Sequence, residues 1–158
     1  MYLFTYGSLM NPASLKKTLP VRKRLIRNAV LRGYKRKLNA LVDGCLYLNI
    51  VPDEKAKIEG KLIQVSFAEL KKIKLREIGY SCREVTSKIE NSSAAPVFTF
   101  VAPDVSYPRL KIPRSYLITC LAGVVASKRK KWLTDTLIQN EIMEDLEKPV
   151  YRNATVKR

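Results

Sequence analysis

The chain opens on the apolar run Tyr2-Leu3-Phe4-Thr5-Tyr6, rich in aromatic and branched side chains, which stops at Gly7. That pattern predicts a strand over 2–6 followed by a turn. Asn11 stands where an N-cap would, with Pro12 at the first helical position, so a short helix is expected over Pro12–Leu19, closed by Pro20. From Val21 to Leu41 apolar residues such as Leu25, Val30, Tyr34 and Leu38 stand between lysines and arginines, a pattern of two strands meeting near Gly33. Cys45–Ile50 and Gly60–Val65 predict two more strands that pair, with Pro52-Asp53-Glu54-Lys55 as the polar turn between them. Ser66 and Glu69 have the spacing of a capping box, which predicts a helix from Phe67 to about Leu75. Arg83–Ile89 alternates, Asn91-Ser92-Ser93 turns, and Val97–Val101 returns, the pattern of a hairpin. Pro113 opens a helix to about Val125, and Ser127 caps another through Trp132 to Leu137. The tail from Lys148 reads as irregular or as a short final strand. With no repeat, linker or low-complexity segment, one domain over 1–158 is expected.

Composition narrows the chemistry. The chain has 158 residues, 46% of them hydrophobic, enough for a core that folds without staples. The first apolar run is too short for a signal peptide and no run approaches a membrane span, so a soluble, cytoplasmic protein is expected. Cys45, Cys82 and Cys120 are odd in number and far apart, which argues against structural disulfides. There is no histidine, so Ser-His-Asp and Cys-His mechanisms are excluded and zinc lacks its common nitrogen ligand. Any chemistry falls to carboxylates, tyrosines and backbone amides.

The formal charge is +16, from 30 Lys plus Arg against 14 Asp plus Glu, and it is unevenly spread. Ten basic residues precede the first acid, Asp43, among them Arg22-Lys23-Arg24 and Lys35-Arg36-Lys37. A second acid-free basic stretch runs from Arg109 to Lys131, while Asp135–Glu147 is acidic. The stretches 16–37 and 109–131 are suited to nonspecific contact with nucleic acid or an anionic surface, or to attracting an anionic small substrate; a solvated basic face explains them equally well.

A strand ending in Tyr6-Gly7-Ser8-Leu9 bends at glycine, and consecutive amides there can form an anion-binding concavity. Together with Met10-Asn11-Pro12, this segment resembles the γ-glutamylcyclotransferase-like family. The likeness continues through Asn49-Ile50-Val51-Pro52, Ile58-Glu59-Gly60-Lys61-Leu62, the helix after Ser66, and Leu75-Arg76-Glu77-Ile78-Gly79-Tyr80. Pro113-Arg114-Ser115-Tyr116, with Gly123 seven residues after the tyrosine, resembles the family's late Tyr-bearing helix, so the resemblance spans roughly 2–125. Two departures stand out. Ile78 separates the acid from its glycine, as in the glutathione-specific branch, and Leu9 stands where some members carry asparagine.

The resemblance implies an α+β fold, a mixed β-barrel with short flanking helices, that converts a γ-glutamyl group to 5-oxoproline without metal or cofactor. It implies Glu77 as the catalytic proton carrier and the amides of Gly7, Ser8 and Leu9 as the substrate's anchor. Tyr6 and Tyr116 would line the cavity, and Arg76 would orient Glu77 or bind the far end of a peptide substrate. Duller readings stand beside these: Glu77 as a surface carboxylate paired with Arg76 or Lys74, Tyr116 as a core aromatic, Arg76 as a solvated side chain. A non-catalytic binding module of the same fold, docking nucleic acid or an acidic partner on its basic face, is the alternative function.

Overall fold

The computed structural model describes residues 1–20, 24–91, 95–138 and 142–143. In chain order these form β1 (Tyr2–Thr5), a 3-10 turn (Ser8–Met10), α1 (Pro12–Lys16), β2 (Ile26–Val42), β3 (Cys45–Gln64), α2 (Phe67–Arg76), β4 (Ser81–Glu84) and a second 3-10 turn (Thr86–Lys88). β5 (Val97–Val101), β6 (Ile112–Pro113), α3 (Arg114–Ala122), a third 3-10 turn (Ala126–Lys128), α4 (Arg129–Thr134), β7 (Thr136–Leu137) and β8 (Ile142–Met143) follow. The fold is α+β, built on a six-stranded sheet of order β4-β5-β1-β3-β2-β7, with β6 and β8 paired separately. It is mixed, because β1 runs antiparallel to β3 and parallel to β5. β4 and β7 form its two edges, so among the described residues the sheet is open, and the expected barrel is corrected to a sheet that does not close.

The largest departure from the sequence pattern lies in β2 and β3. The break expected near Gly33 is a bulge within one strand: Arg32 pairs with Lys57, but Tyr34 pairs with Pro52. Gly33 takes the left-handed backbone, φ 76°, that the extra residues require. The polar segment 52–55 is the other side of that bulge, where the Asp53 carboxylate accepts from the Lys55 N–H, so its turn chemistry is real although the strand continues. The chain reverses instead at Asp43-Gly44, both at positive φ (48° and 75°), the geometry of a two-residue type I′ hairpin. That Asp-Gly signal was present in the sequence.

Other corrections are of extent. α1 ends at Lys16 rather than Leu19, and α3 covers Arg114–Ala122 rather than Pro113–Val125. The helix through Trp132 stops at Thr134, because Thr136–Leu137 is drawn into the sheet beside Arg36 and Lys37. In the hairpin, only Ser81–Glu84 pairs with β5, and Thr86–Lys88 turns as 3-10. The capping box at Ser66 and Glu69 forms with both of its hydrogen bonds. Ser92, Ser93, Arg22, Lys23 and the tail from Lys148 lie outside the described residues.

β1 lies between β5 and β3 and is covered on both faces. Phe4 joins the large cluster with Leu48, Ile50, Leu62 and Tyr116. Leu3, its neighbour, packs with Ile63, Leu70, Ile73 and Phe100 on the other face. A central strand buried on both sides reads as a continuous apolar run rather than an alternating one, and its end delivers Tyr6 and Gly7 into the interior.

Candidate active site

The β1 end and the α2 end meet at one cleft of about 40 Å³, lined among others by Tyr6, Gly7, Ser8, Leu9, Glu77 and Tyr116. Gly7 packs closely there: a Cβ would stand 3.1 Å from Leu48 Cδ2, which would have to give way, and 3.4 Å from the Tyr116 hydroxyl. After it the chain tightens into the 3-10 turn, closed by Met10 N–H to Gly7 O at 2.9 Å. Among the described residues, the N–H groups of Gly7, Ser8 and Leu9 have no backbone acceptor. Such amides, left outside the ladder at a turn, are donors for an anion or a polarised carbonyl. Gly123 lets α3 close on this turn, since a Cβ there would come within 2.7 Å of Met10 and Asn11.

Glu77 is the C-cap of α2, and its N–H still donates to Ile73 O. The helix cannot continue, because Gly79 turns the chain at φ 81° and the Tyr80 N–H closes on Glu77 O at 3.2 Å. That reversal puts Glu77 and Tyr80 on the same cleft. The Glu77 side chain is 19% exposed. Burial pushes its carboxyl above the ordinary glutamate range, and the nearby Arg76 guanidinium pulls it partly back.

Arg76 reaches away from the cleft. Its Nη1 donates to Ser14 O (2.9 Å) and Thr18 Oγ1 (2.7 Å), and its Nη2 to Ser14 Oγ (2.8 Å) and, at 3.5 Å, Ser8 Oγ. Its Nε faces Glu77, 3.7 Å from Oε1. Arg76 therefore clamps α2 to α1 and to the Ser8 turn, and it is not a solvated side chain.

The tyrosines are held by backbone. Tyr6 donates to Phe100 O at 2.6 Å, and burial, followed by the charge of Glu77, pushes its phenol well above the usual range. Tyr116 accepts from the Leu48 N–H at 3.2 Å, while Tyr80 donates to Leu48 O at 2.6 Å. Leu48 is thus gripped from both of its peptide groups. Tyr80, also raised by burial, lines the cleft as well, three residues after Glu77 in the same segment. Cys120 adjoins Tyr116, and burial pushes its thiol up to about 12, which leaves it protonated rather than nucleophilic.

Asn49, part of the segment that carries the resemblance, has a structural role. Fully buried, it accepts from the N–H groups of Ile50 and Ala102 and donates to Ala102 O and Asn39 Oδ1. These bonds pin β3 to the segment after β5, behind the cleft. An asparagine within an apolar run was the available sign.

A mixed α+β sheet with this order of helices is the fold of a structure titled gamma-glutamyl cyclotransferase, which superposes with a TM-score of 0.71 over 93% of this chain and 91% of that one, at 13% identity. The sequence adds the family: residues 3–117 match gamma-glutamyl cyclotransferase, AIG2-like, and the chain belongs to that family. The Arabidopsis thaliana protein At5g39720.1, solved in solution, is 30% identical over 68% of this chain and 71% of its own, with a TM-score of 0.54. YkqA from Bacillus subtilis matches at 18% identity and a TM-score of 0.67 over 89% of this chain. The chain spans about half of YkqA, 55% of its length. No curated protein matched the chain. Among the described residues, no helix is long and apolar enough to cross a membrane.

Proposed function

We propose that the protein is a γ-glutamylcyclotransferase, cyclising a γ-glutamyl amide to 5-oxoproline with release of the amine. The observation that carries this reading is the convergence of one partly buried carboxyl, Glu77, and the acceptor-free amides of Gly7, Ser8 and Leu9 on a single cleft. Membership of the family supports it.

The reaction needs no water and no external nucleophile. The substrate's α-ammonium gives a proton to Glu77, and the freed amine attacks the γ-carbonyl carbon to close the five-membered lactam. The bond from that carbon to the leaving nitrogen then breaks as Glu77 returns the proton to that nitrogen, and the ring nitrogen's second proton passes to Glu77 and on to the released amine, which leaves as an ammonium beside a neutral lactam. A carboxyl raised by burial is suited to both transfers, since its proton affinity lies closer to those of its partners near neutral pH. The turn amides would hold the carbonyl oxygen as it gains charge or anchor the α-carboxylate, and either use gains from amides already fixed in place.

The test is a panel of γ-glutamyl amines, amino acids and peptides, glutathione among them, with 5-oxoproline as the readout. Release from at least one substrate by the native protein, and its loss in Glu77→Gln, is the expected result. No release from any, or equal release by the variant, overturns the assignment.

A further inference from the structure

A second, larger cavity, about 350 Å³, lies away from Glu77, between β2, β3 and the segment that runs from Gly123 to Asp135. Its volume falls within the range of small-molecule sites. The proposed cyclisation makes no use of it.

Its floor holds an incompletely paired cation. Arg36 is 2% exposed. Its Nε donates to Thr136 Oγ1 at 3.2 Å and its Nη1 to Glu59 O at 3.1 Å, and the guanidinium carbon lies 5.1 Å from the Trp132 ring centroid. Among the described residues Nη2 meets no acceptor. A buried guanidinium normally engages both faces of its fork, because its desolvation is costly otherwise. The cost is visible: burial lowers the Arg36 pKa to about 10, despite the charges of Asp135 and Glu59. Trp132 beside it is 4% exposed, and its indole N–H is buried without a partner. A buried donor without a partner is unusual in a folded protein, and among the described residues Trp132 Nε1 is the one such side-chain atom.

The carboxylates around the cavity do not fill this need. Glu59 is engaged by Lys128 at 2.6 Å, Asp135 by Lys131 at 2.5 Å, and Glu90 by Arg32 at 2.8 Å. Lys61, also on the wall, donates to Met10 O at 3.0 Å, and burial lowers its pKa. Arg27, Asn28 and Asn91 also line the cavity, and its apolar side is formed by Met10, Leu62, Val124 and Val125.

We infer that this cavity is a binding site for a small organic oxyanion, a carboxylate or phosphate head on an apolar body, with the head on Arg36 and the body along Val124, Val125 and Leu62. Bidentate geometry favours such heads on a guanidinium fork. The site does not depend on the cyclotransferase reading, and it touches the back of the substrate turn only through Met10.

Trp132 is the sole tryptophan, so its emission reports on the site directly. The probes are phenyl phosphate, benzoate and inorganic phosphate, titrated on the native chain and on Glu77→Gln. A saturable change with phenyl phosphate or benzoate, the same in Glu77→Gln and weaker with inorganic phosphate, is expected; the stronger of the two organic probes tells which head the site takes. Arg36→Met should weaken it at least about tenfold, the low end for a lost charged hydrogen bond. Should Arg36→Met fail to fold, Val125→Phe, at a rim residue that is 56% exposed, narrows the cavity without touching a charge and should weaken binding by at least about as much. No saturable change with either organic probe up to the order of 10 mM, or native affinity in Val125→Phe, overturns the site. Equal affinity for inorganic phosphate overturns the apolar body.

Discussion

Arg76 and Glu77 are chain neighbours whose side chains meet at Nε and Oε1, 3.7 Å apart, while Nη1 and Nη2 are bonded to Ser14, Thr18 and Ser8. The carboxylate thus feels a positive charge that is largely committed elsewhere. Burial outweighs it, and the Glu77 carboxyl is raised.

That balance fixes the sign of a pH effect. Because the folded-state pKa lies above the unfolded one, the folded chain holds a proton that the unfolded chain has released between the two values. The stability from the neutral carboxyl is full below the unfolded pKa and is lost as pH rises through the folded one. Thermal melts of the native chain and Glu77→Gln should coincide near pH 4 and diverge in favour of the variant near pH 8. A native chain that gains on the variant as pH rises contradicts this.

In the cyclisation assay, Glu77→Gln should lower kcat by about 10²- to 10⁴-fold, the usual loss of a general acid–base group. Glu77→Asp, which keeps the group but withdraws it, should retain part of the rate.

Arg76→Gln removes both the clamp and the charge. Melting should show a loss of about 2–4 kcal/mol, since several hydrogen bonds from a charged donor go together. The pH–rate profile adds what a purely structural role would not change: without the guanidinium the carboxyl limb moves to higher pH.

Gly79→Ala should destabilise by about 1–2 kcal/mol, because an L side chain is strained at φ 81°. The strain also displaces Glu77 relative to Tyr80, so 5-oxoproline release should fall further than the melting temperature predicts. Loss of stability at full specific activity refutes that coupling.

Tyr6→Phe leaves the buried Phe100 carbonyl without its donor, a cost of about 1–3 kcal/mol. Tyr80→Phe does the same to Leu48 O, but at a partly exposed position, where water can replace the hydroxyl. Chemical denaturation should therefore rank Tyr6→Phe as the more damaging.

The sequence by itself determined the local decisions. A continuous apolar run with no polar face specified β1 as a buried strand, Ser66 and Glu69 specified where α2 starts, and the segments around Tyr6 and Glu77 carried the family. These signals are legible because the groups that decide them lie within a few residues of one another. Tertiary structure decided what depends on distant partners: that β2 and β3 each run through their apparent breaks, since each is the other's ladder, and that the helix after Trp132 yields to pairing with Arg36. It also decided the site. Tyr6 and Glu77 stand on one cleft because β1 is central and Gly79 reverses the chain, and Arg36 lies buried beside Trp132 because Thr136 and the Glu59 carbonyl, distant in the chain, accept from it. Spacing along the chain carries no trace of that.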